Sequence, residues 1–224
     1  MKILIPAISQ ERIVTCLRTL RTNPKDIIVV DNSPNGLELP FSVGRRVHRG
    51  MNLGVAHSWN IGVRALMESD DTHLAICSQS VVFGRNGGRE LKEMLGDEWG
   101  AEYVGLGWHL NMFTRQFFET FGFFDENFHP AYMEDTDALY RMGLLGMPSP
   151  RENGRSRPYY TIDATCPDAG ALKDGKATVD FNELETYYTL KWGGLQGQEK
   201  FERPFNNPEL PINWWPRVTT AGAT

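Results

Sequence analysis

No apolar run in this sequence approaches the roughly 20 residues that a membrane-spanning helix needs, and the opening MKILIPAI is too short for a signal peptide. Cysteine is scarce. Cys16, Cys77 and Cys166 are odd in number and widely spaced, which excludes a disulfide framework and any zinc-type spacing. Both absences predict a protein of the reducing cytoplasm. Positive charge is not in excess: a formal net charge of −5 argues against a broad nucleic-acid footprint. Two local basic groups, Arg45-Arg46-His48-Arg49 and Arg151-Arg155-Arg157, keep phosphate binding open. No internal repeat is visible.

What is present is enough apolar residue, in 224 positions, to bury one sizeable core. Residues 2–6 (KILIP) form a short apolar run ended by proline, which reads as a buried strand. Residues 9–20 carry Ile13, Val14, Leu17 and Leu20 on one helical face, and Asn23-Pro24 breaks that helix. Residues 26–31 (DIIVVD) are a second apolar strand ending in a carboxylate, followed by the turn signal Asn32-Ser33-Pro34-Asn35-Gly36. Strand, helix and strand with short joints make a right-handed βαβ unit on a parallel sheet. Ligands in such sheets sit beyond the carboxyl ends of the strands, where Asp31 and the loop after Pro6 fall. Asp31 there either accepts hydrogen bonds from a ribose or base, or caps its own turn.

A third short strand is predicted over 46–49, then a helix running to Met67. Asn52 stands where a cap belongs. The small residues Gly54, Ala56 and Gly62 signal close backbone approach. Residues 73–77 (HLAIC) read as a buried strand ending in Ser78-Gln79-Ser80. Residues 81–83 continue extended, 89–95 read as an exposed helix, and 103–107 and 110–113 as further extended segments. Residues 117–141 (FFETFGFFDENFHPAYMEDTDALYR) turn at Gly122 and enter a helix whose start carries Glu134, Asp135 and Asp137. Acids there complement a helix dipole. Equally, Phe123, Phe124, Phe128 and Tyr132 could exclude water while one carboxylate takes a proton from a substrate.

The order of these pieces resembles the GT-A fold, family-two glycosyltransferases, which are inverting enzymes using nucleotide-activated sugars. Four segments carry the resemblance, which covers residues 2–147: VVDNSPNG at 29–36; Asn52 and Gly54 with Asn60 and Gly62; Gly122-Phe123-Phe124-Asp125-Glu126; and Glu134-Asp135 with Asp137. It implies an α/β Rossmann-like three-layer sandwich with a mostly parallel sheet. The nucleotide-sugar-binding and catalytic core would span 1–147. Residues 148–224 are expected to supply a mobile loop and a C-terminal extension packing on the core; their own residues read as an edge strand over 159–163 and a helix over 181–192, and Trp214-Trp215 as packing over the core, joining a partner subunit or stacking on a sugar or base.

The resemblance further implies a nucleoside-diphosphate sugar as donor, with Pro6, Ala7, Glu11, Asp31, Asn52, Gly54, Asn60, Ser78, Gln79 and Ser80 around it. Asp135 would be the general base with Glu134 beside it, Asp137 structural, and Trp108, His109 and Glu134 on the acceptor side. Two departures stand out. Phe123 replaces a glycine. Ser78-Gln79-Ser80 replaces an acidic pair, and two hydroxyls and an amide hold a hard divalent ion poorly, so metal binding is expected to be weak or absent. The diphosphate would then rely on Arg12, Lys173 or the arginines at 151, 155 and 157. A soluble acceptor is favoured over a lipid; a nucleic-acid acceptor is compatible but not indicated. Donor sugar and oligomeric state are not legible. Two alternatives stay open. One is a non-catalytic nucleotide-sugar binder. The other is a nucleotidyltransferase, against which the glycine-poor loop 5–9 (IPAIS) counts.

Overall fold

A computed structural model describes residues 1–86, 88–89, 91, 101–103, 107–147, 164–167 and 179–215. The six-stranded sheet has the order β3-β2-β1-β4-β7-β6. Its strands are β1 (Lys2–Ala7), β2 (Ile27–Asp31), β3 (Arg45–His48), β4 (His73–Cys77), β6 (Ala101–Tyr103) and β7 (Leu110–Thr114). The first four run parallel; β7 is antiparallel to β4, and β6 to β7. A separate antiparallel pair joins β5 (Val82–Phe83) to β8 (Ala164–Thr165). The strand expected at 159–163, the helix positions past Leu91 and the arginines at 151, 155 and 157 lie outside the described residues. So does Lys173.

The near-continuous apolar strands are explained by burial on both faces. Ile3, Ile5, Ile27, Val29, Ala75 and Cys77 point to one side, where helix α1 (Gln10–Leu20) supplies Ile13, Cys16, Leu17 and Leu20. Leu4, Ile28, Val30, Leu74 and Ile76 point to the other, against helix α2 (Val55–Met67) and helix α3 (Arg115–Phe121). Each such aliphatic side chain contributes about 1.5–3 kcal/mol on burial. Gly62 lets α2 lie close on β1, since a Cβ there would meet Leu4 Cδ2 at 2.7 Å. Leu91 is fully buried in the α1-side core, so the segment read as an exposed helix turns at least this residue inward.

Helix α4 (Glu134–Leu144) starts at the predicted acidic cluster. Helix α5 (Phe181–Trp192) covers Phe128 with Leu184, Tyr188 and Trp192. No described helix is long and apolar enough to cross a membrane. Cys16 and Cys77 are buried thiols.

Candidate functional site

The carboxyl ends of β1, β2 and β4 are tied to the loop before α4 by one run of hydrogen bonds. Gln79 Oε1 accepts from the N–H groups of Ile8 and Ser9, both at 2.9 Å, joining the end of β4 to that of β1. Asn32 N–H donates to the carbonyl of Ala7 at 2.7 Å. Asn32 Nδ2 donates to Ser58, and its Oδ1 accepts from Leu53 N–H at 2.9 Å. Val55 N–H then donates to the Pro130 carbonyl at 2.8 Å, four residues before Glu134. The β2 end and the acidic helix start therefore lie at the same end of the sheet. At that end too, Ser78 N–H donates to the His109 carbonyl, and Trp108 stacks on Trp59 with ring centroids 5.6 Å apart.

Several residues expected at a donor site are committed elsewhere. The Asp31 carboxylate has no exposed surface: Oδ1 accepts from Ser33 N–H and the Ser33 hydroxyl, and Oδ2 from Leu37 N–H and the Arg46 guanidinium. Burial alone would raise its pKa, but Ser33, Leu37 and Arg46 together hold it below the usual carboxylate range. Its hydrogen bonds within the chain are those of a turn cap. Asn60 is likewise fully buried: its Nδ2 donates to the Phe124 carbonyl and Glu126, and its Oδ1 accepts from Phe124 N–H. It holds the Gly122–Glu126 turn against α2. The Ala7 side chain belongs to the core, leaving its backbone alone at the strand end. Gly54, at φ +81°, is closely approached by the loop ahead of α4: a Cβ would stand 2.8 Å from His129 Cδ2 and 3.0 Å from the Pro130 carbonyl oxygen. Asn52 Oδ1 caps Gly54 N–H. Pro6, Ser78 and Gln79 are half-buried, Ser80 is buried, and Glu11 is exposed in the first turn of α1.

The acids near α4 sort into two groups. Asp125 accepts from Lys191, Tyr187 and Asn127; Asp137 accepts from Lys191, Trp192 and Arg141. Glu126 accepts from His57, Asn60 and Arg64. Burial works against ionisation of Asp125 and Glu126, but Lys191 in one case and His57 with Asn60 in the other draw both pKa values down. Each of these three acids is held by fixed partners within the chain. Glu134 and Asp135 are not paired in this way among the described residues. Glu134 is 7% exposed and its Oε2 finds no hydrogen-bond partner among the described residues. Burial, helped by the neighbouring Asp135 charge, pushes its pKa from 4.5 to about 8. Asp135 is half-buried, with Oδ1 taking the Thr136 N–H at 2.8 Å. Burial lowers the pKa of His109, favouring a neutral ring.

The residues at the β4 end do not fit a divalent ion. Gln79 Oε1 already accepts two N–H groups, Ser78 Oγ accepts from Ser80 N–H, and the Arg12 guanidinium lies 3.4 Å from Ser80 Oγ. A hard cation needs several oxygen ligands and usually carboxylate charge. Among the described residues no group of three His, Cys, Asp or Glu side chains could hold one.

Sequence reasoning missed Lys191, Tyr187 and Arg46. Each acts on an acid far away in the chain, and nothing local to their positions announces it. Trp215 packs on Phe123 with centroids 5.3 Å apart, and Trp214 on Phe205, so both indoles join the body of the protein.

No family model matches the chain. A galactofuranosyl glycosyltransferase of Leishmania donovani is 41% identical over 59 residues, which are 25% of this chain and 14% of that protein. A mannosyltransferase from Pyrobaculum calidifontis, in complex with GDP-Man and Mn2+, aligns at 14% identity and TM-score 0.44 over 65% of this chain and 52% of its own. The chain thus spans a small part of the curated relative and about half of the mannosyltransferase. A mutant of Drosophila β-1,4-galactosyltransferase 7, in complex with manganese, UDP-Gal and xylobiose, aligns at 12% identity and TM-score 0.52 over 92% of this chain and 83% of its own. Mixed sheet, helices on both faces and this near full-length likeness together identify the fold as that of the GT-A glycosyltransferases.

Proposed function

We propose that the protein is an inverting glycosyltransferase that moves a sugar from a nucleoside diphosphate to an acceptor hydroxyl. The observation that carries this reading is the division among the acids. Asp125, Glu126 and Asp137 are neutralised by fixed partners, while Glu134 and Asp135 stand at the helix start with no cation on either among the described residues. Uncommitted carboxylates in a largely water-excluded setting are what proton abstraction uses.

Asp135 takes the acceptor hydroxyl proton as that oxygen bonds to the anomeric carbon. The bond from that carbon to the diphosphate oxygen breaks, its electron pair leaves with the nucleoside diphosphate, and the configuration inverts. No second carboxylic acid is required, because the leaving group departs as an anion. Glu134 orients the acceptor beside Asp135. Trp108 offers an indole face to the acceptor, backed by Trp59, and His109 offers a neutral imidazole. Sugars and other soluble hydroxyl compounds suit such a surface better than a lipid chain. On the donor side, Pro6, the backbone of Ala7, Glu11, Asn52, Ser78, Gln79 and Ser80 line the strand ends. Arg12 contributes charge toward the diphosphate without a divalent ion.

The test is a panel of UDP- and GDP-sugars incubated with the purified protein, in EDTA and in Mn2+. Asp135→Asn lowers turnover by about 10² to 10⁴-fold while donor affinity is retained. Full turnover by that variant would sink the assignment of the base. Tight donor binding without turnover by the wild type would make the protein a binder instead.

A further inference from the structure

We infer that Lys191, on α5, is a positioning residue for Glu134 and Asp135. This rests on the functional reading above for those two acids. The Lys191 ammonium is fully buried and donates to Asp125 Oδ2 at 2.8 Å and to Asp137 Oδ1 at 2.6 Å. The neighbouring Trp192 Nε1 donates to the same Asp137 oxygen at 2.8 Å. Arg141 closes the set, donating to Asp137 Oδ2 at 2.9 Å and to the Phe123 carbonyl at 3.0 Å. Two anions and two cations balance, and together they join the Gly122–Glu126 turn, the start of α4 and the end of α5.

The geometry of a helix turns this lock into an orientation. Successive residues are about 100° apart, so Asp135 points about 200° around from Asp137. With Asp137 held inward, Asp135 faces away from the cluster, and Glu134 lies at about 60° from Asp137. Burial follows that pattern: Glu134 and Asp137 are buried, Asp135 half-buried. The chain reaches α4 through Tyr132 and Met133, both left-handed at φ +81° and +69°. Such residues hold only where surrounding contacts fix them. Asp137, whose N–H donates to the Met133 carbonyl at 2.8 Å, is one such contact.

Lys191→Met alone leaves two buried carboxylates short of a cation and is expected to fold poorly. The informative variant is therefore Asp125→Asn with Lys191→Met, which keeps the cluster neutral. It is compared with wild type using whichever UDP- or GDP-sugar turns over in the panel. Expected are a melting temperature near that of wild type, a donor KM within about twofold, and kcat reduced about tenfold or more. Amide exchange gives a second readout that does not depend on turnover. The Asp137 amide exchanges about tenfold faster or more, while amides in the middle of α2 are unchanged. Wild-type kcat with an unchanged Asp137 amide overturns the inference, as does faster exchange throughout the protein. If the wild type turns over no sugar nucleotide, the functional reading fails, and the local exchange result alone decides whether Lys191 orders the start of α4.

Discussion

The Arg46 guanidinium lies 2.6 Å from Oδ2 of Asp31, a carboxylate wholly buried at the end of β2. The ion pair bridges adjacent parallel strands and closes the turn that follows. Asp31→Asn turns an acceptor into a donor facing other donors, and is expected to cost about 2–4 kcal/mol. Arg46→Ala should cost less, about 1 kcal/mol, because that side chain is 38% exposed and its charge is screened. The folded pKa of Asp31 is depressed, so its contribution is present above the ordinary value of 3.8 and is lost as pH falls through the folded value. Urea melts of both variants at pH 7 and pH 3 check this, with the gap between wild type and Asp31→Asn narrowing at the lower pH.

Glu134 behaves in the opposite sense. Its folded pKa is raised, from 4.5 to about 8, so between those values the unfolded chain is ionised while the native one holds its proton. Stability contributed by this residue therefore falls as pH rises through that window and levels off above it, by a total on the order of 5 kcal/mol. Glu134→Gln removes the dependence. Denaturation across pH 5 to 9 should show the variant more stable than wild type at pH 8, while its transfer rate is lower.

Gly54→Ala is expected to destabilise by about 2–4 kcal/mol, since the backbone conformation there suits glycine and the methyl would strike His129 and Pro130. Because Val55 N–H also holds Pro130, the displacement reaches the loop leading to α4. Thermal melting gives the stability change. A fall in turnover larger than the unfolded fraction explains would report the displaced loop.

Turnover in EDTA is expected to stay within about twofold of that in Mn2+, the oxygen atoms at the β4 end being committed to N–H donors. A rate that requires Mn2+ would mean that the donor site recruits ligands other than Ser78, Gln79 and Ser80.

Much of the architecture was legible because its signals are local. The runs at 2–6, 26–31 and 73–77 are apolar at successive positions, so that both faces are apolar, which is how strands between two helical layers must read. Helix α5 was legible from 181 to 192. The roles of individual polar residues were not. Asp31 and Asn60 look like ligand contacts in a linear motif, yet each is satisfied by groups brought close only by folding: Arg46 in one case and Phe124 with Glu126 in the other. Asp125 and Asp137 differ from Glu134 and Asp135 by having Lys191 overhead, a fact set by a helix more than fifty residues downstream. Phe123, where the resembling family has a glycine, is explained by the Arg64 guanidinium 5.3 Å from its ring centroid and by Trp215.

The tie from Lys191 to Asp125 and Asp137 also orders events during synthesis. Until α5 has left the ribosome, two carboxylates destined for a dry interior lack Lys191, and among the described residues Arg141 neutralises Asp137 alone. A nascent chain halted before that point cannot bury them cheaply and should remain open there, a substrate for chaperones or proteases. Release of α5 then supplies Lys191 and lets the turn at 122–126 and the start of α4 close together.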